Sequence, residues 1–82
     1  MNITENILFY RLQNGFSQNS LAEHLNISRQ AISKWEQGIC LPDIENIILL
    51  SQLYNITLDE FFFAENSLNN LNVSSFTQVI NS

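Results

Sequence analysis

Cations are scarce in this chain: Arg11, Arg29 and Lys34 stand against eight carboxylates in 82 residues, for a formal net charge of −5 and a pI near 4.4. Bulk charge cannot draw such a molecule to a polyanion, so any contact with nucleic acid has to rest on a few placed cations, neutral donors and helix N-termini. Cysteine is reduced to Cys40, which excludes an internal disulfide and a cysteine-based zinc site and leaves a small, partly buried apolar group as its expected role. The two glycines, Gly15 and Gly38, do not make a phosphate-cradling loop. The longest apolar runs, Ile47 to Leu50 and Phe61 to Ala64, are far too short to cross a bilayer. Met1 is not followed by the basic, apolar and cleavage-site succession of a secretory signal, so a cytoplasmic protein with no membrane partner is expected. His24 and Cys40 are the sole candidates for a base and nucleophile pair, and His24 reads better as an exposed helix residue. Asp43 with Glu45, and Asp59 with Glu60, read as charges at helix N-termini rather than metal ligands. No enzyme, metal or cofactor is expected.

What is present is a chain 45% hydrophobic, enough for one small all-α domain of five helices with a thin core. Asn2 and Glu5 have the spacing of a capping box for a first helix, in which Ile3, Ile7 and Tyr10 share a stripe that Leu8 and Leu12 widen, and Asn14 with Gly15 end it. Ser17 is placed to cap a second helix with Leu21, Ala22 and Leu25 inward. Asn26 ends that helix, since Asn tolerates the left-handed conformation, and Ser28 caps a third helix two residues on. In the third helix Ala31, Ile32 and Trp35 fall on one stripe, Arg29, Gln30, Ser33 and Gln37 fall opposite, and Lys34 lies at the edge; Gly38 ends it. Pro42 and Asp43 start a fourth helix with Ile44, Ile47, Leu50, Ser51 and Tyr54 inward and Leu49 outward. Asn55 ends it, and Thr57 with Glu60 makes a capping box for a fifth helix that offers Leu58, Phe61 and Phe62 to the core, with Phe63 one aromatic too many for a single apolar face. The domain is expected to span residues 1–64. Residues 65–82 are rich in Asn and Ser and read as a flexible tail, although Leu71, Phe76, Val79 and Ile80 leave a role in dimerisation open.

The polar face of the third helix suits a duplex groove, because Arg grips guanine O6 and N7 through two hydrogen bonds and Gln does the same at adenine N6 and N7. Periodicity alone does not separate this from any amphipathic surface helix. Gln18, Ala22 and the run Ser28 to Glu36, which has the pattern Ser-x-x-x-Ile-Ser-x-Trp-Glu, resemble the helix-turn-helix of the phage repressor and Cro type, the Xre family. The likeness extends through Leu41 to Glu45 and Asn55 to Glu60. It implies a five-helix repressor-like bundle and a sequence-specific regulator, a repressor by family habit, that binds double-stranded DNA as a homodimer on a palindromic operator. Under it Arg29, Gln30, Ser33 and Lys34 would read bases, and Gln18, Asn19, Ser28 and Gln37 would hold the DNA backbone. Arg11 and Glu36 occupy positions that commonly form an ion pair in the family, expected here as a partly exposed bridge of modest worth. Leu49, often Lys in similar proteins, joins Leu53 and Phe63 as an expected dimer patch. The acidic balance keeps a second function in view, a protein-interaction module of the same fold that binds another regulator or a toxin.

Overall fold

The computed structural model describes residues 3–65, so Asn2 of the first capping box and the tail from residue 66 onward lie outside the described residues. Five helices follow one another and no strand occurs among the described residues: α1 (Ile3–Gln13), α2 (Gln18–Leu25), α3 (Arg29–Gln37), α4 (Ile44–Tyr54) and α5 (Leu58–Phe63). The all-α, five-helix bundle read from the sequence is the fold.

Helix ends here are built from a repeated three-residue device. Gly15-Phe16-Ser17, Asn26-Ile27-Ser28 and Asn55-Ile56-Thr57 each place a left-handed residue (φ 77°, 57° and 56°), then an apolar residue, then the cap of the next helix. The apolar residue also closes the preceding helix with its backbone: Phe16 N–H donates to Arg11 O (3.1 Å), Ile27 to Ala22 O (3.0 Å) and Ile56 to Ser51 O (3.0 Å), the six-to-one bond of a Schellman end. Phe16, Ile27 and Ile56 are partly buried and pack against the core, so each corner is fixed by dihedral, hydrogen bond and burial at once. Each cap then satisfies an otherwise orphaned N–H of its helix. Ser17 Oγ accepts from Ser20 N–H (3.0 Å), Ser28 Oγ from Ala31 N–H (3.2 Å) and Thr57 Oγ1 from Glu60 N–H (3.0 Å), while Glu60 Oε1 in turn accepts from Thr57 N–H (3.2 Å). In α2 the partner that answers the cap is Ser20, whose hydroxyl accepts from Ser17 N–H (2.9 Å). Gly38 gives α3 the same ending (φ 76°), and there the left-handed backbone, not crowding, is what asks for glycine, since a Cβ would meet only Thr4 at 3.7 Å.

The core joins Ile7, Phe9, Tyr10, Leu21, Ala22, Ile32, Trp35, Ile47, Leu50, Tyr54 and Phe61. Tyr10 lies at its aromatic centre, stacked on Tyr54 (6.1 Å) and edge-on to Phe9 (5.2 Å) and Phe61 (6.1 Å), spacings at which ring quadrupoles attract. Helix α1 packs against α3 on one side and α5 on the other. It therefore buries Phe9 and Asn6 as well as Ile7, Tyr10 and Leu12 of the stripe expected of it, with Ile3 and Leu8 half-buried. Asn6, fully buried, donates to Phe61 O (2.8 Å) and Ala64 O (3.3 Å) at the end of α5.

Three expectations are corrected. Leu58 is not offered to the core with Phe61 and Phe62 but is 42% exposed, because it opens α5 ahead of the residues that pack. Ile44 does not join the inward stripe of α4, being 61% exposed; it opens the helix, one turn ahead of the packed residues, and the buried residue at that end is Pro42. Cys40 is exposed rather than partly buried, because the loop from Ile39 to Leu41 runs outside the bundle, with Ile39 and Leu41 exposed as well.

Candidate nucleic-acid interface

Helices α2 and α3 pack on each other, and Ile32 and Trp35 turn inward from α3. That burial commits the opposite face of α3 to solvent. Arg29, Gln30, Lys34 and Gln37 are exposed there, with Ser33 half-buried between them. Gln37 Nε2 donates to Ser33 Oγ (2.7 Å), so these two residues are bonded to each other one helical turn apart. Ser28 Oγ is occupied as the cap of α3, and Asn19 is exposed on the first turn of α2. Arg29 and Lys34 are the cations of this face; His24 is exposed at the end of α2 and packs edge-on to Phe16 at 5.5 Å.

Beneath the face lies a buried charge pair. Arg11 grips Glu36 twice, through Nε to Oε2 and Nη2 to Oε1 (3.0 Å), and its Nη1 donates to Phe16 O (2.9 Å). The two side chains keep only 7% and 6% of their surface exposed. The bridge is therefore not the partly exposed contact of modest worth expected from the sequence: both charges have left water, and each depends on the other. Glu36 Oε1 accepts a further bond from Gln18 Nε2 (2.9 Å), and Gln18 Oε1 accepts from Arg29 Nη1 (3.3 Å). Gln18, expected on the DNA backbone, is thus tied first to the protein. Neither contact of Gln18 is visible in helical periodicity, because they join α2 to both ends of α3.

Tyr54 sits close enough to feel this pair. Burial pushes its phenol well above the ordinary tyrosine range, Arg11 lowers it somewhat and Glu36 raises it again. Its hydroxyl makes no hydrogen bond among the described residues. A buried hydroxyl without a partner costs about 1–3 kcal/mol, so Tyr54→Phe is expected to leave the fold as stable as before or about 1 kcal/mol more so at neutral pH. The raised pKa also fixes the alkaline behaviour. The folded state holds the phenol proton when the unfolded chain has lost it, so this contribution is complete below about pH 10 and is lost as pH rises above that value. Urea midpoints at pH 8 and pH 11 should converge in Tyr54→Phe relative to the parent chain; an equal drop in both proteins would show that Tyr54 is not the group responsible.

The profile of the helix-turn-helix family matches residues 7–61, and the chain belongs to that family, in its Xre-type, Cro-like branch. It is 37% identical over 65 residues to the HTH-type transcriptional activator BcrR of Enterococcus faecalis, an alignment covering 79% of this chain and 32% of that protein. It is 37% identical over 49 residues to the HTH-type transcriptional regulator ImmR of Bacillus subtilis (strain 168), covering 60% of this chain and 39% of that protein. A third relative, the SPbeta prophage-derived uncharacterized HTH-type transcriptional regulator YonR of the same organism, is 35% identical over 49 residues, covering 60% and 45%. The chain thus spans less than half the length of each of these relatives.

Among the described residues no helix is long and apolar enough to cross a membrane, and no cluster of His, Cys, Asp and Glu has the arrangement of a metal site.

Proposed function

We propose that this chain is a sequence-specific DNA-binding module of a transcriptional regulator in the cytoplasm, working as a dimer on a palindromic site and repressing by occupying it. The observation that carries the reading is the capped N-terminus of α3, where Arg29 and Gln30 stand exposed while Ile32, Trp35 and the Arg11–Glu36 bridge hold the helix from behind. Major-groove readers present the first turn of such a helix to base edges. In this reading Ser33 and Lys34 are secondary base contacts, and Gln18, Asn19, Ser28 and Gln37 meet the backbone. One relative is named an activator, so a promoter–reporter assay decides the sign of regulation.

Selection of bound duplexes from a randomised pool tests the reading. Arg29→Ala and Gln30→Ala should each relax preference at one or two base pairs, at about 1–3 kcal/mol of discrimination. Uniform weakening across all sequences would instead place these side chains on phosphates. Arg29 and Lys34 from two subunits bring only about four cations to the duplex, so log K against log salt should fall with a shallow slope, no steeper than about −4, and a slope steeper than about −6 would contradict this count.

The net charge of −5 favours one other reading, a module that binds another regulator or a toxin; a pool that yields no enriched sequence even at low salt would support it.

For the dimer, Leu49 and Phe63 are exposed, whereas Leu53 is half-buried and packs partly against the core. We place the two-fold surface on Leu49 and Phe63 with Leu53 at its margin, a patch that has to hold the two α3 helices about 34 Å apart. Sedimentation of the Leu49→Lys, Phe63→Glu double variant should show a folded monomer; an unchanged dimer would move the interface elsewhere.

A further inference from the structure

We infer that residues 66–82, which lie outside the described residues, return over the head of α1 and cover the loop between α3 and α4 at Ile39 and Leu41. The end of α3 is where the repeated corner of this bundle departs from its pattern. After the left-handed Gly38, Ile39 closes α3 with its backbone as the apolar residues of the other corners do, its N–H donating to Lys34 O at 3.0 Å. Phe16, Ile27 and Ile56 then pack against the core, whereas Ile39 is 65% exposed. Cys40 stands where the other corners have a Ser or Thr cap, and Leu41 beyond it is 59% exposed. Between Gly38 and Asp43 no side chain carries a charge, an amide or a hydroxyl. A helix end of this kind ordinarily packs its apolar residue, so two neighbouring aliphatic side chains left in water here ask for a cover.

The occupant is set by where the described residues end. At Ala64 the backbone leaves α5 extended (φ −61°, ψ 138°), and Asn6 Nδ2 donates to Ala64 O at 3.3 Å. The end of α3 meets the other side of α1, where a Cβ on Gly38 would lie 3.7 Å from Thr4. Thr4 and Asn6 are about 3 Å apart along the helix axis and about 200° apart around it, so the width of α1, about 10–12 Å, separates the exit of the chain from the bare loop. An extended chain gains at most about 3.6 Å per residue, which takes Leu68 about 14 Å from Ala64 and Leu71 about 25 Å. Both reach. Residues 66–82 carry no charge, and Leu68, Leu71 and Val73 are set among Asn and Ser, so nothing in the segment is repelled by a chain of net charge −5. The contact leaves Leu49 and Phe63 to the two-fold surface proposed above and is independent of what α3 reads.

Cys40, between Ile39 and Leu41, is the single cysteine of the sequence and serves as the reporter. Its rate of alkylation by N-ethylmaleimide is measured at fixed pH in the full chain, in the Leu68→Asn, Leu71→Asn double variant and in Ile39→Ser. Each variant should react roughly 3- to 10-fold faster than the parent, a modest gain because ordering the segment offsets most of the burial. Combining all three substitutions should add little, since both variants remove the same contact. Methyl NOEs from Ile39 to Leu68 or Leu71 in the parent chain give a second readout that needs no substitution. Equal alkylation rates in the parent and the Leu68→Asn, Leu71→Asn variant, or the absence of these NOEs, would overturn the inference. Protection of Cys40 that grows with protein concentration, or NOEs between labelled and unlabelled copies, would put a second copy on the loop and overturn it as well.

Discussion

Arg11→Met is expected to cost about 3–5 kcal/mol, because it strands the Glu36 carboxylate in a site that has lost its water. The side chains are 7% and 6% exposed, so the remaining charge cannot recover its hydration without opening the contact between α1 and α3. Phe16 O loses its bond to Nη1 in the same step. A domain of sixty-odd residues holds a total stability of about 3–9 kcal/mol, so this one substitution removes a large part of it or all of it. Glu36→Leu should behave similarly by stranding Arg11. The double variant, Arg11→Met with Glu36→Leu, separates a missing partner from a missing volume: with no charge left to desolvate it should return to within about 1–2 kcal/mol of the parent. Urea denaturation of the four proteins makes the comparison. A cost below about 1 kcal/mol for either single variant would mean that the pair behaves as a surface bridge.

That pair also marks where the sequence stops being legible. The residue types at 11 and 36, read with the family likeness, suggested a bridge, but nothing local to either residue foretells that α1, α2 and α3 close over it. The same division holds elsewhere. The corners at Gly15, Asn26 and Asn55 were readable because a left-handed residue followed within two positions by Ser or Thr is a local arrangement, decided by dihedrals and one cap. The inward faces of α2 and α3 were readable because each has a single buried stripe. Asn6 was not: a polar residue on α1 reads as solvent-facing by its type, yet it is fully buried because the end of α5, fifty-five residues away, supplies Phe61 O as an acceptor. The two contacts of Gln18 within the chain were not legible for a similar reason, as its partners Glu36 and Arg29 lie on another helix. Ile44 shows the opposite error, an apolar residue in the correct register with no neighbour to cover it.

Phe61→Ala and Phe63→Ala should differ by most of the domain's stability, although the residues lie two positions apart on a helix of six residues. Phe61 is 0% exposed and sits edge-on to Tyr10 at 6.1 Å, while Phe63 is 71% exposed. On α5 the two positions lie about 200° apart, so a face that buries one points the other to solvent, and Phe62 between them is half-buried. Removing the Phe61 ring forfeits its transfer from water and leaves a cavity beside Tyr10, at about 3–5 kcal/mol. The substitution also loosens the packing that places Phe61 O for Asn6. Phe63→Ala removes no core contact and should change monomer stability by less than about 0.5 kcal/mol. Its effect is expected in association, where a shift of the sedimentation equilibrium toward monomer would assign the ring to the dimer surface. Equal destabilisation of both variants in dilute solution would show that Phe63 is covered within one chain, and the proposed interface would then lose its most exposed member.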